Sequence, residues 1–265
     1  MHARVGQRGA RGALTLRRLV GAWRVARAIV HVLHGALICA VVFPFIGSAA
    51  RLQRIGWWSA KFMRLIGISV ESHGTPRSGA TLVVANHISW LDILAINAVQ
   101  PVRFVSKADV RDWPVIGWLV ACAGTLFIER ERKRDALRVV HQVAAALEAG
   151  QTVALFPEGT TSLGDGLLPF HANLLQSAIS TGTPVQPVAL RFRDATREVS
   201  PAAAYVGDTH ILESLWSVVT ASGLVAQVHW LAPEAAAHAE RRALGARLRQ
   251  RIGVALNVKE FRPPL

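Results

Sequence analysis

Beyond residue 80, short β-branched runs alternate with longer segments of helical periodicity, and no other feature narrows the fold as much. The strand-like runs cover residues 81–85, 102–106, 124–128, 153–156, 185–190 and 226–231, and the helical ones 89–99, 132–149, 172–181 and 234–256. Strands joined through intervening helices run the same way, because each crossover returns the chain to the same end of the sheet. The expected class is therefore α/β, a central, mostly parallel sheet flanked by helices, and 265 residues can close it around one core. The last helical segment carries Arg241, Arg242, Arg247, Arg249 and Arg251 among Leu and Ala, which reads as a solvated face or as a second membrane contact.

Charge is distributed unevenly. The formal net charge is +13, from 30 basic and 17 acidic residues. Eleven of the basic residues precede Glu71, the first acid, so the remainder is close to neutral at nineteen against seventeen. A nucleic-acid-binding body does not fit that distribution, whereas a cationic, apolar lead fits an anionic membrane surface. Residues 28–50 contain no Lys, Arg, Asp or Glu, and 23 residues of helix are enough to cross about 30 Å of hydrocarbon. His31, His34, Pro44 and Gly47 interrupt the run and arginines flank both ends, which favours a re-entrant or interfacial helix pair over a simple span. The second helix of the pair covers residues 49–68, where Leu52, Ile55, Trp58, Phe62, Leu65 and Ile66 recur at helical spacing with cations between them. A signal peptide cleaved near Gly47-Ser48-Ala49 fits the long charged lead poorly. The expected organisation is a membrane-docking segment over 1–70, its first dozen residues without fixed structure, and a catalytic domain over 71–265.

His31 and His34 have the spacing of a ligand pair but no third partner at metal spacing, and otherwise read as polar points in a membrane helix. Cys39 and Cys122 offer neither a disulfide framework nor zinc spacing; buried structural thiols on a reducing, cytosolic face are the expectation. Neither a metal nor a bound cofactor is implied.

Chemistry concentrates just after the first strand, in Ala85-Asn86-His87-Ile88-Ser89-Trp90-Leu91-Asp92. His87 and Asp92 would diverge by about 140° on one regular helix, so they meet only if His87 lies in the turn before it, with Ser89 as a plausible N-cap. Ser89-x-x-Asp92 also matches a capping box, in which Asp92 only tidies the helix start. Three further segments end or follow expected strands: Gly124 to Arg130, Leu155 to Ser162 with Glu158, Gly159, Thr160 and Thr161, and Val185 to Ala189. All four can converge on one edge of a parallel sheet.

With these motifs in order between Leu82 and Leu190, the chain resembles the glycerolipid acyltransferase family, of the 1-acylglycerol-3-phosphate acyltransferase type. Asn86, His87, Ser89 and Asp92 match its N-H-x-S-x-x-D motif, Gly124 and Arg130 its second, Glu158-Gly159-Thr160 its third and Pro187 its last. The resemblance implies His87 as general base on an acceptor hydroxyl and Asp92 as the group that orients it. It implies substrate contacts at Asn86, Ser89, Gly124, Arg130, Glu158, Gly159, Thr160 and Thr161. Arg130 also reads as one of a surface run of cations, Glu158 as a buried structural acid, and Pro187 as lining an acyl channel or simply packing. The arginine that often follows E-G-T in the family is Thr161 here, which removes a phosphate ligand and opens the acceptor to lyso-ornithine lipid and other lysolipids.

The implied reaction moves an acyl group from acyl-CoA or acyl carrier protein to a lysolipid hydroxyl, at the cytoplasmic face of a bacterial inner membrane. No G-x-S-x-G elbow supports a lipid hydrolase with a covalent intermediate. A non-catalytic protein bound to anionic membranes is the alternative of another class, and the intact His–Asp pair argues against it.

Overall fold

The computed structural model describes the backbone of residues 2–128 and 133–258, with side chains described over 15–128 and 137–258. Its centre is a seven-stranded sheet of β1 (Ile68–His73), β2 (Thr81–Ala85), β3 (Arg103–Lys107), β4 (Leu126–Ile128), β5 (Thr152–Leu155), β6 (Val185–Arg193) and β7 (Leu224–Trp230). The order across the sheet is β1-β7-β6-β2-β5-β3-β4. Every pairing is parallel except β6 with β7. The helices are α1 (His2–Leu37), α2 (Ser48–Leu65), α3 (Leu91–Val99), α4 (Ile116–Cys122), α5 (Lys133–Glu148), α6 (Gln176–Thr181), α7 (Ile211–Thr220) and α8 (Arg241–Leu256).

The α/β expectation holds, and the six expected strands are present with ends shifted by no more than a few residues. The sequence reading did not anticipate β1. Gly67, at φ +89°, ends α2, and the chain turns into an edge strand paired in register with β7 from Ile68↔Leu224. Only Ile68 of that strand is buried, so it carries almost no hydrophobic alternation. The strand also straddles residue 70, where the boundary between docking segment and body was expected. The short helices α4 and α7 were missed as well. α8 starts at Arg241 rather than near residue 234, because Glu240 is its N-cap, accepting hydrogen bonds from the backbone N–H of Arg242 and Ala243.

Alternate residues of β2 feed two different cores. Val83 and Ala85 face a layer built from α1, α2, α3 and α7, with Ala28, Phe62, Met63, Leu91 and Val218 buried in it. Leu82 and Val84 face α5, α6 and α8 on the other side, with Val143, Leu147, Ala178, Leu244 and Leu248. All five β2 side chains are buried, as a central parallel strand covered on both faces requires.

The N-terminal region is a helical hairpin. From His2 the start of the chain, expected to lack structure, belongs to α1, and no proline occurs before Pro44. A π-helical turn (Ile38–Val42) and a 3-10 turn (Phe43–Phe45) then lead round to α2. Thr15–Phe45 is long and apolar enough to cross a membrane, and only 22% of its most apolar window is buried. His31 joins the two helices. Its Nε2 lies 3.0 Å from the Trp58 carbonyl, Trp58 Nε1 donates to the His31 carbonyl at 3.1 Å, and the rings stack at 4.9 Å. Cys39, in the π-helical turn, and Cys122, in α4, are half-buried rather than buried, and the two thiols are neighbours.

The hairpin is also fastened to the sheet layer. Arg24 Nη1 donates to the carbonyls of Val219 (2.7 Å) and Ala221 (3.1 Å), satisfying the C-terminal end of α7. Losing a charged donor at a partly buried helix end costs on the order of 1–2 kcal/mol. Arg24→Ala is therefore expected to lower the unfolding free energy of the detergent-solubilised protein by that amount, measured by chemical denaturation; an unchanged midpoint would mean that this contact does not hold the hairpin in place.

Candidate active site

β2 delivers the chain to the C-terminal edge of the sheet, and Asn86 is the first residue past it. Its amide reproduces a strand pairing: Nδ2 donates to the Leu190 carbonyl at 3.0 Å, and Oδ1 accepts from Leu190 N at 2.7 Å. The turn from residue 86 to 90 is thereby registered against β6. His87 lies in this turn, before α3, and its Nδ1 stands 2.7 Å from Asp92 Oδ2. Asp92 occupies the first turn of α3, where the helix dipole favours an anion. Its Oδ2 also accepts from the backbone N–H of Ile88 (2.6 Å) and Ser89 (2.9 Å). One oxygen thus bonds both the imidazole and the backbone of the turn before the helix.

A carboxylate only accepts, so the ring proton of His87 sits on Nδ1 and Nε2 carries the lone pair. The Asp92 side chain has no solvent exposure, whereas 19% of the His87 side chain is exposed. Phe156 stacks on the imidazole with a centroid separation of 4.0 Å and an interplanar angle of 8°. The rotation of the ring is thus fixed by a hydrogen bond at its edge and an aromatic plane on its face.

The loop after β5 clamps the backbone of His87 on both sides. Glu158 Oε1 accepts from His87 N at 3.1 Å, while Ser162 N and Oγ donate to the His87 carbonyl at 2.8 and 3.2 Å. Gly159 turns this loop at φ +72°, a conformation open to glycine without strain. Glu158 is buried and also accepts from Leu168 N at 3.3 Å. Burial pushes its carboxyl up to about 8, and the charge of Asp92 adds to this; the two N–H donors and Arg249 pull the other way.

The remaining residues expected at the site divide. Thr160 is exposed beside the loop. Thr161 is engaged, its hydroxyl donating to the Tyr205 carbonyl, and Tyr205 N in turn donates to the Ile88 carbonyl at 3.1 Å. Asn86 spends its amide on Leu190. Ser89 is not the N-cap: that position is Trp90, and the Ser89 hydroxyl is buried with no hydrogen-bond partner among the described residues, as is Asp92 Oδ1. Gly124 lies away from the site, before β4 at the N-terminal edge of the sheet, where at φ +78° it ends the turn after α4 and accepts from Arg103 Nε at 2.7 Å. The turn chemistry there needs the glycine, and β5 and β3 lie between its strand and the one that leads to His87. Arg130 lies outside the described residues. Pro187 is buried in β6 beside Val84.

Phe156, Ser162 and the 200–209 loop around Tyr205 were not anticipated. Phe156 and Ser162 flank the Pro157-Glu158-Gly159-Thr160 run and were within reach of a reading that asked what packs on an imidazole. Nothing in the sequence around Tyr205 signals its return to Ile88, a contact 117 residues away along the chain.

The family described as Acyltransferase has a sequence model that matches residues 45–191. A 1-acyl-sn-glycerol-3-phosphate acyltransferase of Neisseria gonorrhoeae is 41% identical over 177 residues, covering 67% of this chain and 69% of that protein. A lyso-ornithine lipid O-acyltransferase of Pseudomonas aeruginosa is 36% identical over 207 residues, covering 78% of each. The crystal structure of the 1-acyl-sn-glycerophosphate (LPA) acyltransferase from Thermotoga maritima shares the fold, with a TM-score of 0.71 at 19% identity, over 92% of this chain and 96% of that one.

The raised Glu158 carboxyl has a consequence for stability. An acid that binds its proton more tightly when folded stabilises the protein fully below its unfolded value, near 4.5, and loses that contribution as pH rises to about 8. The unfolding free energy of the wild type is expected to fall more steeply than that of Glu158→Gln between pH 5.5 and 7.5. Parallel pH profiles for the two proteins would show that Glu158 holds no extra proton in the folded state.

Proposed function

The chain belongs to the acyltransferase family, and from that premise we propose that His87 and Asp92 drive transfer of an acyl group from acyl-CoA or acyl carrier protein to the free hydroxyl of a lysolipid, lysophosphatidic acid first among them. The observation that carries this reading is the 2.7 Å bond from His87 Nδ1 to a fully buried Asp92, which leaves the Nε2 lone pair at the C-terminal edge of the sheet. The acceptor hydroxyl gives its proton to Nε2 as its oxygen attacks the thioester carbonyl. The tetrahedral centre then collapses, the carbon–sulfur bond breaks, and the departing sulfur takes the proton back from the imidazolium. The products are an ester and a thiol, with no enzyme-bound acyl group. Asp92 stabilises the imidazolium that exists between the two proton transfers, and a base held in this way contributes about 10²–10⁴-fold.

The apolar helix and relatives named as acyltransferases of 1-acyl-sn-glycerol-3-phosphate and of lyso-ornithine lipid support membrane association. The cationic N-terminus and the supply of acyl thioesters in the cytoplasm support a position on the cytoplasmic face of the inner membrane. A monotopic or single-pass attachment through residues 1–70 fits the exposed apolar side of α1, where Leu16, Leu19, Trp23, Val30 and Leu33 face outward.

One observation favours a second acceptor. The Thr161 hydroxyl, which takes the place of a phosphate-binding arginine, is already used by the Tyr205 carbonyl. A head group that is not a simple phosphomonoester, such as that of lyso-ornithine lipid, makes less demand on this position.

Both readings are tested by transfer of a labelled acyl thioester to a panel of lysolipids. His87→Ala is expected to lose at least about 10²-fold in kcat on every acceptor, with folding unchanged; equal rates in variant and wild type would overturn the general-base assignment. In the same panel, a larger kcat/KM for lyso-ornithine lipid than for lysophosphatidic acid decides for the second acceptor, and the reverse order decides for the first.

A further inference from the structure

The turn that carries His87 is held by its backbone as well as by its imidazole. The N–H of His87 donates to Glu158, the carbonyl of His87 accepts from Ser162, and the N–H groups of Ile88 and Ser89 donate to Asp92. The carbonyl of Ile88 is held from much further along the chain, accepting from Tyr205 N at 3.1 Å. The carbonyl of the same tyrosine accepts from the Thr161 hydroxyl. Tyr205 is thus gripped on both sides of its Cα, by the catalytic turn through its N–H and by the loop after β5 through its carbonyl. Both are backbone contacts, independent of the phenol ring.

The segment around Tyr205 is compact. Ser200 N donates to the carbonyl of Phe192 in β6 at 2.7 Å, Ala203 N and Ala204 N turn back onto the carbonyls of Ser200 and Pro201, and Ala203 is fully buried. The loop after β5 also passes close over Ile88: a Cβ on Gly164 would lie 3.0 Å from Ile88 Cδ1. Ile88, 2% exposed, is therefore enclosed between two segments that Thr161 joins. Asp92 and Phe156 fix the rotation of the neighbouring imidazole, but the place of Nε2 depends on where the backbone of the turn stands.

From this arrangement we propose that Thr161 is a positioning residue for His87: its hydroxyl holds Tyr205, Tyr205 holds the Ile88 carbonyl, and the Ile88 end of the turn sets where Nε2 stands. Thr161 acts in this role through the backbone of Tyr205 and not on a substrate. A general base works across about 2.6–3.2 Å from the hydroxyl whose proton it takes. A displacement of about 1 Å can therefore cost on the order of 10²-fold, and a partial loosening less. The role needs only a hydroxyl donor at position 161, which valine, of nearly the same shape, lacks and serine keeps. The proposal rests on the general-base reading of His87 above.

The test uses the full-length protein in detergent micelles and compares wild type with Thr161→Val and Thr161→Ser. Amide hydrogen–deuterium exchange, read by mass spectrometry, is expected to quicken about threefold in Thr161→Val over residues 86–92 as well as 200–209, and to match wild type in Thr161→Ser. In acyl transfer, kcat of Thr161→Val is expected to fall about tenfold with KM for thioester and acceptor within about twofold, and Thr161→Ser to recover the wild-type kcat. Unchanged exchange over 86–92 overturns the proposal, since the bridge would then hold only the Tyr205 segment. So does an unchanged kcat, or a loss that serine does not restore. A rise in acceptor KM with kcat preserved overturns it as well, making Thr161 a substrate contact. Exchange is measured without turnover: if even the wild type acylates no acceptor, the transfer reading fails, while the exchange arm still decides whether Thr161 holds the turn of His87.

Discussion

Oδ2 of Asp92 gathers three donors within 2.6–2.9 Å: the imidazole N–H of His87 and the backbone N–H groups of Ile88 and Ser89. The chain between β2 and α3 has no regular structure of its own, and this oxygen gives it one. The two backbone bonds fold the turn back towards the first turn of α3, and the fold-back is what brings a histidine five residues earlier in the chain onto the same carboxylate. An isolated buried carboxylate would be costly; here the helix dipole and three hydrogen bonds replace its hydration. The arrangement also makes the site indivisible, since moving Asp92 would release the turn as well as the ring.

Around this turn the sheet keeps two environments apart. The alternation along β2 sends Val83 and Ala85 to the hairpin side and Leu82 and Val84 to the α8 side. β2, covered on both faces, ends at the turn that carries His87, so the turn sits where the two layers meet. The supporting shell is drawn from both sides too: Asn86 binds to β6, Glu158 to the turn and to Leu168, and Tyr205 to Ile88.

Much of this was legible in the sequence because it depends on local pattern. Four apolar residues at 82–85, β-branched at their centre and short of helical length, fit a doubly covered strand, and a His–Asp pair straddling a strand-to-helix junction has few geometries in which the two can touch. Features that depend on distant partners were not legible. The edge strand β1 has one buried residue and is a strand only because β7 lies beside it. Gly124 sits in a matching motif, yet its conformation serves the end of α4 at the far edge of the sheet, since a one-dimensional pattern does not say which end of a strand a residue occupies. Ser89 resembled a cap by spacing, but it is the Ser89 carbonyl, not its hydroxyl, that accepts from Asp92 N, while the Asp92 carboxylate accepts from Ser89 N. Thr161 read as a missing phosphate ligand; what it does instead, holding the Tyr205 loop, depends on a partner 44 residues away.

The junction at Gly67 ties these parts together mechanically. The glycine turns at φ +89° directly from α2 into β1, and a side chain there would collide with the guanidinium of Arg24, itself bonded to the end of α7. Hairpin and sheet therefore lack a linker that could flex between them. A tilt of the hairpin, from lipid packing or bilayer curvature, therefore has no flexible segment in which to be absorbed before it reaches the edge of the sheet that carries His87.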